Sequence, residues 1–124
     1  MKLFTVSEAN EIIPVVRPRL ERLRKLYARL GDMREDARAA AAASESGGGM
    51  PGGAVYVETL YEIGKIIAEI TELGIQLKDH TRGLIDFPSM REGRIVLLCW
   101  QIGEPEEIEY WHETEAGFAG RQPL

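Results

Sequence analysis

Apolar residues recur at Ala9, Ile13, Val16, Leu20, Leu23, Tyr27 and Leu30, in alternating steps of four and three. That rhythm keeps one stripe of a helix apolar over many turns, so it predicts a single long helix with a coiled-coil-like heptad seam. Its start is marked by "FTVSEAN": Thr5 stands as N-cap, Glu8 completes a capping box, and Phe4 can staple onto Ala9. Pro14 and Pro18 each lack the N–H that would bond the carbonyl four residues back, which predicts a bend near the start. After the alanine run, the stretch "SESGGGMPGG" cannot sustain a helix and reads as a flexible loop over 44–53. Tyr56, Leu60, Ile63, Ile67, Ile70, Gly74 and Leu77 then repeat the four-three rhythm. This predicts a second helix reaching the "KDHTRG" segment, so that the helical hairpin spans 5–82. Folding back through the loop pairs Leu20 with Gly74 and Leu30 with Gly64. Large would then face small, with close helix approach offsetting the cost of glycine in a helix.

From residue 83 the pattern changes to period two. "LIDFP", "RIVLLCWQI" and "EIEYWHE" read as strands joined by "SMREG" and "GEPE", giving a three-stranded antiparallel meander. If the second turn pairs positions summing to about 209, one face carries Ile95, Leu97, Cys99, Tyr110 and His112, with Ile85 and Phe87 added from the first strand. The other carries Val96, Leu98, Trp100 and Trp111. The central strand is apolar on both faces, so both need a cover: the helices on one, the tail or a second copy of the chain on the other. The expected fold is therefore α+β, a long antiparallel helical hairpin followed by a small three-stranded antiparallel sheet, in a single domain over 1–124.

Composition narrows the function classes. A chain of 124 residues with 44% hydrophobic and 28% charged residues has the make-up of one folded domain and not of a disordered segment. The single cysteine, Cys99, has no internal disulfide partner, and "MKLFTVSEANEII" lacks the apolar core of a signal peptide, so a cytoplasmic location is expected. No apolar run is long enough to span a membrane. Net charge is −5, unevenly spread: Arg and Lys dominate 17–38, whereas 104–115 is rich in Glu and holds neither Lys nor Arg. The basic stretch has no aromatic interleaving, which argues against nucleic acid and for a face that is solvated with its counterions or turned to the acidic segment.

Candidate chemistry is sparse. Cys99 and His112 fall diagonally on one predicted sheet face, but the neighbours expected there are poor zinc ligands and no C-x-x-C or H-x-x-x-H spacing occurs, so no metal and no cofactor are expected. A lone cysteine in an apolar strand is a buried hydrophobe with a raised pKa. No serine lies in a G-x-S-x-G context, and no catalytic residue is assigned. If the tail folds back across the sheet, Arg82, Trp111, His112 and Arg121 can line a cleft for a small anion. Alternatively Arg121 caps backbone carbonyls or pairs with local glutamates, Phe118 packs over Trp111, and His80 caps the end of the second helix.

The segments "FTVSEANEIIPVVRPRL", "GIQLKDHTRGLIDFPSMREGRIVLLCWQIGEPE" and "YWHETEAGFAGRQPL" resemble domain-of-unknown-function family 2203, an uncharacterised prokaryotic family. The resemblance covers nearly the whole chain outside the glycine loop. It implies no activity, substrate or cofactor. The residues themselves point first to a non-enzymatic interaction module acting through its helical hairpin or a sheet face on a protein partner. The alternative is a small-anion-binding or metal-dependent enzyme using the His112/Arg121 region. Ile12, Val15, Leu26, Met33, Ile66, Leu73 and Ile75 lie beside the seams and widen the apolar stripe, which predicts a homodimer through paired hairpins.

Overall fold

A computed structural model describes residues 1–43 and 53–124. The expected flexible loop therefore lies, apart from Gly53, outside the described residues. The long helix α1 runs Val6–Ala43, continuous through Pro14 and Pro18. The capping box is formed: the Glu8 N–H donates to Thr5 Oγ1 and the Thr5 N–H to Glu8 Oε1, both at 3.0 Å. Ala9, Ile13, Val16, Leu20, Leu23 and Leu30 are all buried, with Tyr27 packed partly buried against them.

The second helix, α2, runs Gly53–Glu72 and stops ten residues short of the expected end at 82. Gly74 sits at φ +90°, a left-handed geometry that ends the helix and turns the chain into a strand. Ile75, Gln76, Leu77 and Lys78 fit a period of two as well as they fit a helical seam, so the apolar pattern alone did not separate the two readings. The buried stripe of α2 is Thr59, Ile63, Ile66 and Ile70, while Leu60 faces solvent. Thr59 tolerates burial because its hydroxyl donates to the Val55 carbonyl at 2.7 Å. The helix register also differs from that expected. Arg19 bonds Glu69 at 2.9 Å and Arg22 forks onto Glu62 at 2.6 and 2.9 Å, which places Gly64 away from Leu30. Gly64 is exposed and a Cβ there would meet nothing within 4 Å, so the large-against-small packing does not occur.

The sheet has five strands, not three, in the order β1 (Gln76–Asp79), β2 (Leu84–Arg91), β3 (Arg94–Gln101), β4 (Tyr110–Glu113) and β5 (Gln122–Pro123), all neighbours antiparallel. The two extra strands are edges: β1 comes from the segment expected to be helical and β5 from the tail. Leu97 pairs with His112 and Cys99 with Tyr110, in the expected register. The first hairpin differs. Its turn is the two-residue Glu92–Gly93, both at positive φ, and Phe87 pairs with Leu98 while Asp86 pairs with Cys99. Ile85 and Phe87 therefore lie on the opposite face from Cys99, and Asp86 takes the place they were expected to fill.

The two faces have different covers. Ile85, Phe87, Val96, Leu98, Trp100 and Trp111 join the helices in the main core, where burying each large side chain contributes about 1.5–3 kcal/mol. Phe4 meets Phe87 edge-on at 5.2 Å between ring centres, and Trp100 Nε1–H donates to the Pro105 carbonyl at 2.8 Å. Leu84, Asp86, Leu97, Cys99 and His112 are buried on the other face, outside that core cluster. Leu26, Ile66 and Ile75 are buried within the chain, and Ile12 and Leu73 pack partly buried against the core. Most of the stripe that was expected to need a second hairpin is thus covered internally, and of those seven residues Val15 is the exposed one. No helix among the described residues is long and apolar enough to cross a membrane.

Two substitutions test this packing. Gly64→Ala, in an exposed helix interior with free space, should raise stability by about 1 kcal/mol; a loss in the urea midpoint would restore the tight helix contact. Gly83→Ala should lower stability by roughly 1–3 kcal/mol, because φ is +61° and the new Cβ would collide with Ile102.

Candidate functional site: a buried Asp–Cys–His cluster under the tail

Adjacent strands carry the cluster. Asp86 lies on β2, Cys99 opposite it on β3, and His112 diagonally across on β4. All three point to the sheet face away from the helices, and all are buried, Asp86 and His112 at 2% exposure and Cys99 at 1%. One ligating atom from each lies within 4.8 Å of the other two. His112 Nε2 is 3.1 Å from Asp86 Oδ1, and Nδ1 is 2.7 Å from the Glu113 carbonyl.

That geometry orients the imidazole. A carbonyl only accepts, so Nδ1 is the nitrogen that carries a hydrogen and donates to Glu113. Nε2 then faces the Asp86 carboxyl group, with a thiol beside the pair. Desolvation first, and the neighbouring Asp86 carboxylate second, push the Cys99 thiol from its ordinary 9.0 up to about 12. As a thiol it is a poor nucleophile.

Asp86 and His112 form part of the wall of a cavity of about 130 Å³, lined also by Lys78, Leu84, Leu97, Thr114, Gly117 and Phe118. The tail closes it: a short 3-10 helix, Phe118–Gly120, leads into β5, which pairs along β4. Arg82 and Arg121 lie against the Phe118 ring, at 4.6 and 4.8 Å from its centre, and Arg121 also stacks on Tyr110 at 4.0 Å. Arg121 pairs with Glu104 at 2.6 Å, while its Nε is buried without a hydrogen-bond partner.

Of the four residues singled out from sequence, the fold gathers Arg82, His112 and Arg121 around the tail-covered face. Trp111 is not among them: it pairs with Leu98, lies in the core on the helix side, and stacks under Arg91 at 4.6 Å. Phe118 therefore covers the His112 face and not Trp111. His80 does not end a helix. It lies in the turn after β1 and stacks on Tyr27, with ring centres 3.6 Å apart, and its Nδ1 is buried without a partner. The turn is held by Asp79 Oδ1, which accepts from the N–H groups of Thr81 and Arg82. Sequence reasoning missed Lys78, and although Asp86 lies close in sequence to Arg82 it was not placed opposite Cys99. Asp86 was visible as the one charged residue within the apolar run "LIDFP".

The family model for an uncharacterized conserved protein, DUF2203, matches residues 2–124. The chain belongs to this family. No curated protein and no solved structure matches it. Membership in DUF2203 brings no assigned residues, so the chemistry of the cluster rests on its geometry.

The raised thiol sets a pH dependence. A group whose folded pKa exceeds its unfolded value contributes stability below the unfolded value, and that contribution is lost as pH rises through the folded one. For Cys99 this window runs from about 9.0 to about 12. Urea melts of wild type and Cys99→Ala should therefore converge as pH rises through that window; parallel curves would contradict a shielded thiol.

Proposed function

We propose that the protein binds a small anionic ligand in the cavity between the sheet and the tail. The observation that carries this reading is the placing of unpaired cations around a buried acid–base pair. Lys78 lines the cavity and Arg82 stands behind Phe118, and neither has an ion-pair partner among the described residues. The Asp86–His112 contact forms part of the wall, and the Thr114 side chain adds a hydroxyl. At about 30 Å³ per water, the cavity has the room of roughly four waters, which suits a ligand of acetate or phosphate size. Should the ligand be transformed, His112 is the group placed to move a proton.

A second reading is an interaction surface on α2, where Val57, Leu60 and Tyr61 are 63%, 42% and 75% exposed. These side chains suit a helix-on-helix contact with a protein partner, a second copy of this chain being the simplest one. Sedimentation equilibrium of wild type and Tyr61→Glu separates the two: a dimer mass lost in the variant supports the surface, and a persistent monomer near 13.9 kDa removes it.

For the anion reading, acetate and inorganic phosphate should be titrated separately into the metal-stripped protein while backbone amide resonances are followed. Saturable shifts at Thr114, Gly117 and Phe118 are expected, with Lys78→Ala weakening binding about tenfold, the loss of one charge-assisted contact. Titrations that leave these amides unmoved would overturn it.

A further inference from the structure

We propose that Asp86, Cys99 and His112 together bind one divalent transition-metal ion, zinc being the species their chemistry fits best. The set is one thiolate sulfur, one imidazole nitrogen and one carboxylate oxygen, the three donor types zinc accepts. Three protein ligands with a fourth position left to solvent or substrate is the arrangement of reactive zinc sites, whereas structural sites close with four. Here Asp86 and His112 reach the cavity wall while Cys99 lies behind them, so the fourth position opens onto the cavity.

Orientation supports the same conclusion. A zinc-bound histidine ordinarily anchors its second nitrogen on a carbonyl or carboxylate, which fixes the ring and directs the other lone pair at the ion. His112 is held in this way: Nδ1–H donates to the Glu113 carbonyl at 2.7 Å, leaving Nε2 to face Asp86 and Cys99. A tetrahedral ion with bonds of about 2.0–2.3 Å sets its ligand atoms roughly 3.3–3.7 Å apart. The 3.1 Å between Nε2 and Oδ1 must therefore open slightly. The widest separation, within 4.8 Å, must close by about an ångström, within reach of small side-chain rotations on three neighbouring strands.

Charge balance selects a divalent ion. A Cys99 thiolate and an Asp86 carboxylate supply two negative charges and His112 binds as a neutral ligand, so a 2+ ion is compensated by its own ligands and no uncompensated charge is buried.

The inference goes beyond the anion reading and stands without it. The test uses the full chain stripped with chelator and titrated with Co²⁺, then Zn²⁺, in anion-poor buffer. One Co²⁺ per chain is expected, with a thiolate-to-cobalt charge-transfer band in the near ultraviolet that Zn²⁺ bleaches. Cys99→Ala should abolish the band and weaken Zn²⁺ binding at least 100-fold, a loss no smaller than that for removing an outer-shell partner. Circular dichroism checks that the variant is folded. Asp86→Asn should shift the band in wavelength or intensity, a readout that needs no loss of fold. Absence of the charge-transfer band, or Co²⁺ uptake equal in wild type and Cys99→Ala, would overturn the proposal and leave a hydrogen-bonded triad only. Because the anion titration is made on metal-stripped protein, either reading can fail without the other.

Discussion

The central strand has no solvent face, and the rest of the molecule is arranged around that constraint. Val96, Leu98 and Trp100 point one way, Leu97 and Cys99 the other, and all are buried. Leaving either side wet would forfeit about 25 cal/mol for each Å² of apolar surface, so each side must have its own cover. The helical hairpin supplies one. The other comes from the 3-10 helix and last strand, too small to make a second thick core, and in this thinner layer a cavity and a polar cluster are accommodated.

Electrostatics joins the two halves. The Ile108 N–H donates to Asn10 Oδ1 at 2.7 Å and Arg17 meets Glu106 at 2.6 Å, so the acidic loop after β3 lies along α1 where its basic stretch begins. Asn10 is four residues before Pro14, where a helix hydrogen bond is necessarily missing. The side chain there thus engages a loop that passes the same turn. The uneven charge seen along the sequence is in this respect internal pairing.

Much of the fold was legible because its signals are local. The capping box needs only Thr5 and Glu8, and the α1 seam is a repeat held over seven apolar positions. The β3–β4 register followed from pairing positions that sum to about 209 across "GEPE". What failed depended on one backbone turn. Reading "SMREG" as the connection put Ile85 and Phe87 beside Cys99, whereas the turn is Glu92–Gly93, and a one-residue change in register exchanges the faces of a strand. Glutamate is an uncommon residue at positive φ, so nothing in its identity announced the tight turn. With the faces exchanged, Asp86 was absent from the Cys99 face, and Cys99 and His112 looked like two ligands without a third. Trp111 was misplaced differently: its register was right, but the cover of its face was assigned to the tail.

The strands and the helices also differ in how far apart along the chain their contacts lie. The cluster and its cover are built from residues 76–123, joined strand to strand by short connections. Docking α1, by contrast, brings Phe4 to Ser89 and Asn10 to Ile108, contacts separated by 85 and 98 positions. Closing loops of that length is the slow part of folding, since the entropy of closure is spent before the contacts repay it. The meander can assemble from near neighbours while the main core waits for the first helix to return, so the order of events along the folding route separates the layer that holds the chemistry from the layer that holds most of the stability.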